Sequence, residues 1–113
     1  MIVAITGTTL FNNFARLQLR IIEHEKKHGP ITQILTGDGP GCDELVRKYA
    51  TEHNIPLKMF DSCTKANMIN DADHLLIFWD GASKGTRAVL NQAIIQNISL
   101  FADFYEEKDQ DAD

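Results

Sequence analysis

The sequence predicts a single α/β domain built on an open, largely parallel five-stranded sheet. Short apolar runs alternate with stretches of helical period five times along the chain. That alternation is typical of parallel strands joined by right-handed helical crossovers. Three of the strand-to-helix connections are also rich in small residues, and a parallel sheet places all such connections at one edge, where ligands bind. The fold class therefore also predicts where a functional site lies.

Each predicted strand is a short run of apolar, often β-branched residues, and each predicted helix carries apolar residues at helical period. The first strand, IVAIT, is apolar throughout, as expected for a strand covered on both faces. The first helix is capped by Asn12 or Asn13 and ends before Gly29 and Pro30. The run HLLIFW is the most apolar in the chain and predicts the central strand. The predicted strands are residues 2–6, 31–36, 57–60, 74–79 and 99–105, and the predicted helical stretches are residues 11–29, about 40–53, 64–72 and 83–97.

Length and composition indicate one domain without a membrane segment. The chain has 113 residues, of which 43% are hydrophobic, enough for one core and too few for two domains. No run of about 18 apolar residues occurs, which predicts no membrane span. The apolar start MIVAITG lacks the basic leader of a secretory signal. Cys42 and Cys63 form neither a CxxC motif nor a disulfide framework, so we expect a cytoplasmic protein with reduced thiols.

The negative charge is concentrated at the C-terminus. The net charge is −5, and residues 105–113 (YEEKDQDAD) carry five acids and one lysine, which leaves about −1 on residues 1–104. Residues 1–104 are predicted to form the domain and residues 105–113 an acidic, disordered tail, with a docking role for the tail as the alternative. A nearly neutral domain offers no basic patch for duplex nucleic acid, so a nucleic-acid partner is not expected.

The loop TGDGPGCD has the features of an anion-binding turn. With Gly39 as the helix cap, Pro40 takes the first helical position, and the N–H groups of Gly41 and Cys42 are expected to be free at a positive helix end. Gly37, Gly39 and Gly41 let a ligand approach the backbone without a Cβ in the way. The alternative is a tight corner that binds nothing.

The two aspartates of this loop have different expected roles. Asp43 falls in the first turn of the helix, where the helix dipole favours a carboxylate, so it is expected to stabilise the helix start. Asp38 would repel a phosphate and is expected to face a sugar hydroxyl or solvent. If the protein is an enzyme, Asp38 is the first catalytic candidate.

The loop DGASKGTR carries the positive charge. Ser83 is expected to cap the following helix, with Lys84, Gly85 and Thr86 as its first three positions. Lys84 and Arg87 then lie in the first turn, where the dipole disfavours cations by about 0.3–1 kcal/mol each. An anion bound there would offset this cost, and the alternative is that both side chains point into water. Thr86 either bonds a phosphate oxygen or caps the turn.

The spacing of the four histidines along the chain does not predict a metal site. His24, His28, His53 and His74 are scattered without metal-type spacing, and the cysteines share no motif with them. Neither a metal nor a cofactor is expected.

Three further residues each allow two interpretations. Cys42, at a helix start, would have its thiolate favoured, but it is interpreted as a small packing residue. Trp79, at the end of a strand, either stacks a base or packs in the core. Met68 is interpreted as a core residue.

Three segments resemble the SLOG superfamily: TGT after the first strand, TGDGPGCDELVRKYATEHNIPL, and MINDADHLLIFWDGASKGTRAVLNQA. Within it they are most similar to the small bacterial and phage single-domain group called YspA-like or cpYpsA-related. That group's pattern runs roughly G-G-x-x-G-x-D, a helix, a GIPV-like strand, M-x-x-x-A-D and G-x-S-x-G-T. The resemblance covers about residues 1–100. The matching positions are Gly37, Gly41, Asp43, Met68, Ala72, Asp73, Gly81, Ser83, Gly85 and Thr86.

The resemblance implies a Rossmann-like, three-layer α/β/α fold that binds nucleotides or nucleotide-derived ligands, often as a sensor and sometimes as an enzyme. It also implies a homo-oligomer. Lonely-guy phosphoribohydrolases and the DNA-processing protein DprA are more distant branches. Together the loops and the resemblance predict these ligand-binding residues: Gly7, Thr8, Gly37, Asp38, Gly39, Gly41, Cys42, Asp43, Lys65, Gly81, Ser83, Lys84, Gly85, Thr86 and Arg87.

The departures from the family pattern bear on mechanism. The second glycine of the first motif is Asp38 here, and the Arg-Asn pair expected ahead of the methionine is Thr64 and Lys65. One guanidinium contact is therefore either lost or replaced by Lys65. Lonely-guy enzymes carry a glutamate three residues after the Thr of their GT motif, where this chain has Val89. Glycosidic hydrolysis needs a carboxylate to steady the oxocarbenium ion or activate water, so Asp38 or Asp80 would have to supply it.

Three functions follow as hypotheses. The first is binding or sensing of a nucleotide or nucleotide-derived ligand through the Gly-rich loops. The second is an N-glycosidic hydrolase of nucleoside monophosphates that uses Asp38 or Asp80. The third is a DprA-like nucleic-acid partner, which the charge of the domain disfavours.

Overall fold

The computed structural model describes residues 1–110, in which five parallel strands form one sheet in the order β3-β2-β1-β4-β5. The strands are β1 Ile2–Gly7, β2 Gln33–Gly37, β3 Leu57–Phe60, β4 His74–Trp79 and β5 Ser99–Phe104. The α-helices are α1 Phe14–His28, α2 Cys42–Glu52 and α3 Lys84–Ile95, and a 3₁₀ segment, Lys65–Asp71, precedes β4. The predicted α/β class and five-stranded parallel sheet are confirmed.

Alternate residues of each strand face opposite layers, as the two-residue period of a strand requires. One set packs under α1 and α2: Val3, Ile5, Ile34, Leu76 and Phe78. The other set packs under α3 and the 3₁₀ segment: Ala4, Leu35, Leu75 and Ile77. Both faces of the sheet are therefore covered, which gives a Rossmann-like three-layer domain. No helix within residues 1–110 is long and apolar enough to cross a membrane.

The centre of the sheet is β1 and not the predicted β4. β4 is an interior strand between β1 and β5, whereas β1 has two strands on either side. Both runs are apolar because both strands are covered on two faces. The apolar character of a run therefore predicted that β1 and β4 are interior strands, but it did not predict which of them is central.

The helix starts test the predicted caps. Asn13 caps α1, since its side chain accepts the Arg16 N–H at 3.0 Å. The start of α2 was predicted two residues early: the cap is Gly41 and the first helical residue is Cys42, so Pro40 precedes the helix. The reason is the backbone of Gly41, whose φ of 73° is not helical. Residues 64–72, predicted as an α-helix, contain the 3₁₀ segment instead.

The segment after β5 packs on the domain where a disordered tail was predicted. Tyr105 is buried against Phe11, with ring centroids 4.8 Å apart. Gln110 accepts the Asn12 N–H at 3.0 Å and donates to the Leu10 carbonyl at 2.8 Å. Residues 105–110 therefore belong to the folded part, and the rest of the predicted tail, residues 111–113, lies outside the described residues.

A buried ion-pair cluster ties α1 to β5. The Asp103 carboxylate, 4% exposed, accepts two hydrogen bonds from Arg16 at 2.6 and 2.8 Å and one from Arg20 at 3.0 Å. Burial, the largest influence, raises the pKa of Asp103, but the hydrogen bonds and charges of the two arginines together hold that pKa below the usual 3.8. The carboxylate is thus stabilised as an anion in the fold.

Replacing Asp103 with Asn is expected to lower the free energy of unfolding by about 2 kcal/mol at pH 6, since charge-assisted hydrogen bonds are worth about 1.5–3 kcal/mol. A carboxyl whose pKa is depressed by folding stabilises the fold above its unfolded pKa and loses that contribution as pH falls through its folded pKa. The difference between wild type and D103N in urea unfolding should therefore shrink below pH 3.8, the usual carboxyl value. A difference that is the same at pH 6 and pH 3 would contradict this account.

Candidate ligand-binding cleft

A cleft of about 380 Å³ opens at the carboxyl edge of the sheet. It lies beside the boundary between β1 and β4, where the strand order reverses and the connections leave toward opposite faces. Such a switch point is where open α/β sheets bind ligands. Residues from four segments line the cleft. They are Thr9 after β1; Asp38, Gly39, Pro40 and Asp43 around the start of α2; Ser62, Cys63, Lys65 and Ala66 after β3; and Gly85, Ala88 and Val89 in α3.

Thr8 holds the surrounding loops together underneath the cleft. Its N–H donates to the Phe78 carbonyl at 2.9 Å, and its own carbonyl accepts the Cys42 N–H at 3.2 Å. Its hydroxyl accepts the Asp80 N–H at 3.4 Å. Thr8 is 3% exposed and links the connections after β1, β2 and β4, while the exposed neighbour Thr9 lines the cleft. Thr8, a predicted ligand residue, therefore connects the three loops beneath the cleft, and Thr9 is the residue of this loop that lines it.

One of the two N–H groups predicted to be free at the start of α2 has a partner within the protein. The Cys42 N–H, expected to be free, donates to the Thr8 carbonyl, and the Gly41 Cα lies against the Thr9 backbone. Neither residue lines the cleft. Cys42 is fully buried, and burial, followed by the charge of Asp43, raises the pKa of its thiol well above 9.0. Its interpretation as a packing residue is confirmed.

Asp43 and Lys65 form the polar floor of the cleft. The Asp43 carboxylate, 2% exposed, accepts the Thr6 hydroxyl at 2.6 Å and the Thr36 hydroxyl at 3.3 Å, from the ends of β1 and β2. The Lys65 ammonium lies 3.0 Å from the second carboxylate oxygen. Asp43 was predicted to stabilise the helix start and to belong to the ligand site, and in the structure it also joins two strands to the segment that carries Lys65. An ammonium has three donors, so Lys65 retains donors for a ligand in the cleft.

Arg47 stabilises the Gly-rich loop that follows β2 by hydrogen bonds to its backbone. Its guanidinium donates to the carbonyls of Gly37 and Gly39 at 3.0 and 2.8 Å. A Cβ on Gly37 would collide with the Asp43 carboxylate, so that glycine is required by packing against Asp43. Gly39 lies on the cleft wall. Arg47 was missed by the sequence analysis because it lies one turn into α2, outside the loop motif.

The start of α3 supplies the opposite wall. Ser83 is the N-cap as predicted, since its hydroxyl accepts the Thr86 N–H at 3.4 Å. The Thr86 hydroxyl is 3.1 Å from that of Ser83, and Thr86 is buried. Gly85 faces the cleft, and a Cβ there would meet nothing within 4 Å. Lys84 and Arg87 are exposed and do not line the cleft. The positive charge in the cleft therefore comes from Lys65 and not from the predicted Lys84 and Arg87.

The two catalytic candidates lie in different places. Asp38 is exposed on the cleft wall. Asp80 lines a separate cavity of about 690 Å³ with Tyr105, and its carboxylate accepts the Ala82 and Ser83 N–H groups at 2.9 and 3.1 Å. Val89 lines the cleft, so an apolar side chain contributes to its wall near Gly85.

The remaining predicted residues lie around the cleft without lining it. A Cβ on Gly7 would collide with the Phe78 carbonyl, so Gly7 allows β1 and β4 to approach each other. Gly81 has a φ of 88° in the turn after β4. The Trp79 indole donates to the Ser83 carbonyl at 3.1 Å, and Met68 is fully buried in the core, as predicted.

The histidines are not scattered in space. Three of them, His24, His28 and His74, meet at the opposite edge of the sheet, with ligand atoms within 4.8 Å of one another. The i, i+4 spacing of His24 and His28 on α1 was the available sequence signal, and it was overlooked. Burial, followed by the charges of His28, His74 and Lys27, lowers the pKa of His24 to about 4.

The fold and the cleft define a Rossmann-like α/β domain with a ligand-sized cavity at its topological switch point. No protein-family model, curated protein or solved structure matches this chain.

Proposed function

We propose that the domain binds a nucleotide or nucleotide-derived ligand in the cleft at the carboxyl edge of the sheet. The observation that carries the proposal is the meeting of the two Gly-rich loops across one cavity, with Gly39 on one wall, Gly85 on the other and Lys65 between them. The ligand class comes from the resemblance to the SLOG superfamily. The cavity, of about 380 Å³, is in the size range of small-molecule sites.

The cleft offers three kinds of contact to such a ligand. The first N–H groups of α3, including that of Gly85, have no partner within the helix and lie at its positive end, where phosphate groups bind. Lys65 supplies a cation, and its pairing with Asp43 limits the local positive charge. The exposed Asp38 carboxylate is suited to accept ribose hydroxyls, at the opposite wall from Gly85.

The balance of charge favours a ligand with few phosphate groups. Among the described residues that line the cleft, Lys65 is the cation and Asp38 and Asp43 are the anions. A triphosphate would find one ammonium against two carboxylates, whereas a monophosphate or a diphosphate ester can reach the α3 N-terminus with less repulsion. We therefore expect AMP or ADP-ribose to bind more tightly than ATP.

Gly85→Glu is expected to abolish binding. The new side chain extends into open space, so the fold is kept, but its carboxylate occupies the cleft and repels a phosphate. Loss of one or two charge-assisted hydrogen bonds, at about 1.5–3 kcal/mol each, corresponds to at least a tenfold weaker Kd. Calorimetry with AMP, ADP-ribose and cyclic nucleotides measures this on both proteins.

The matched control is Ala82→Glu, which adds the same charge to an exposed position of the same loop outside the cleft. It should bind as the wild type does. Absence of binding to every nucleotide, or equal binding by wild type and G85E, would contradict the proposal.

Hydrolysis of a nucleoside monophosphate at its glycosidic bond is a second candidate, favoured by the single observation that Asp38 is exposed on the cleft wall. Release of free base that is lost in Asp38→Ala and kept in Asp80→Ala would establish it, because Asp80 belongs to another cavity. Ligand binding without base release by the wild type would leave binding or sensing as the function.

A further inference from the structure

A cluster of three imidazoles lies at the amino edge of the sheet, opposite the cleft. α1 runs back across the sheet and ends where β4 begins, so His24 and His28 in its last turns meet His74, the first residue of β4. β4 alone separates the two edges by roughly 17 Å, since its six residues are joined by five steps of about 3.3 Å each. This second site is therefore independent of the nucleotide cleft.

The nitrogen atoms of the cluster converge. His24 Nε2 lies 3.2 Å from His74 Nδ1, and all three residues offer ligand atoms within 4.8 Å of one another. The ring of His28 has its centroid 4.5 Å from that of His24 and 4.4 Å from that of His74. The His74 ring stands at 85° and 87° to the other two, so the rings do not form a parallel stack.

We propose that His24, His28 and His74 bind one divalent transition-metal ion of the zinc class, with solvent completing the coordination. Imidazole nitrogen is a preferred ligand for Zn²⁺, Ni²⁺ and Cu²⁺, and three protein ligands with one open position form a known type of zinc site. Tetrahedral Zn–N bonds of about 2.0–2.1 Å place the nitrogens about 3.4 Å apart. One pair already meets this spacing, and His28, exposed at the end of α1, can rotate to close the others.

The cluster is accessible to an ion from solvent. His24 is 8% exposed and fixed by packing, His74 is partly exposed, and a cavity of about 200 Å³ beside the rings opens to solvent. Three charged side chains line this cavity: Arg20 and Glu23 pair with each other at 3.1 Å, and Lys27 remains as a cation, which the three neutral imidazoles would have to outweigh in binding the ion. The two i, i+4 ligands on one helix are held at fixed spacing before metal binds, which reduces the ordering cost.

The test is a calorimetric titration of the folded chain with ZnCl₂ alone. We expect one ion per chain, and a Kd that weakens by at least about tenfold in His28→Ala, since loss of even an outer partner of a zinc ligand costs about 10–100-fold. His28 is chosen because it is exposed, so its removal leaves the core intact, as circular dichroism would verify. The matched control is His53→Ala, an exposed histidine at the end of α2, which should bind as the wild type does.

The exposed thiol of Cys63 is a competing ligand, so the titration is repeated with Cys63→Ser. Binding retained in Cys63→Ser and lost in His28→Ala supports the site, as does a shift of the His24, His28 and His74 ring resonances on addition of Zn²⁺. No zinc binding, equal binding by His28→Ala and His53→Ala, or binding lost in Cys63→Ser would each overturn the proposal.

Discussion

Gly41→Ala is expected to lower the free energy of unfolding by about 3 kcal/mol or more, the largest effect among single changes around the cleft. The backbone of Gly41 has a φ of 73°, which costs a non-glycine residue about 1–2 kcal/mol. A Cβ there would also collide with the Thr9 backbone, which has no flexible side-chain end that could give way. The loop that bears Thr9 must therefore move, and ligand binding should weaken with stability. Urea unfolding measures the first effect and calorimetry with AMP the second.

Gly81→Ala is the matched control for Gly41→Ala. Gly81 has a similar φ of 88°, but a Cβ there would meet nothing within 4 Å. Its substitution should cost only the backbone strain, about 1 kcal/mol. Equal destabilisation by the two changes would show that contact with Thr9 does not explain the need for glycine at position 41.

Asp43→Ala is expected to destabilise the fold by about 3 kcal/mol, since removal of one partner from a buried pair typically costs about 3–5 kcal/mol. The change leaves the hydroxyls of Thr6 and Thr36 without their acceptor and the Lys65 ammonium without its partner. Lys65 keeps a 17% exposed side chain and can turn toward solvent, which places the cost at the low end of that range. Urea unfolding at pH 7 gives the value directly.

Asp71→Ala is the control for the loss of a carboxylate in an ion pair. Asp71 lies 3.8 Å from Lys58, with both side chains more than half exposed, and such surface pairs contribute about 0–1 kcal/mol. If D43A were no more destabilising than D71A, the Asp43 network would not be the structural link between β1, β2 and Lys65 that we describe.

The strands and helix caps were predictable because their signals are local. β3 and β4 begin and end at the predicted residues, and Ser83 caps α3 as its position before a helical stretch indicates. The start of α2 was misplaced because Gly41 has a non-helical φ of 73°, in a loop where the N–H of Cys42 donates to the distant carbonyl of Thr8. Sequence patterns reflect interactions between residues that are close along the chain, whereas the Cys42–Thr8 hydrogen bond joins two separate loops.

The site itself was only partly predictable for the same reason. The Gly-rich loops indicated the edge of the sheet at which the cleft lies, but the pairing of Asp43 with Lys65 joins residues that are far apart in sequence. The histidine cluster forms because α1 packs beside the start of β4. The spacing of residues along the chain therefore could not predict that His74 lies next to His24 and His28. The nucleotide ligand, the homo-oligomer and the cytoplasmic location stay predictions from the sequence.

Mapping of amide chemical shifts on addition of AMP tests the central claim most directly, because it locates the ligand without any substitution. The account predicts that the largest shifts fall on Thr9, Gly39, Lys65 and Gly85, which line the cleft from four different segments. No shifts with AMP or ADP-ribose, or shifts centred on the Asp80 and Tyr105 cavity, would contradict it.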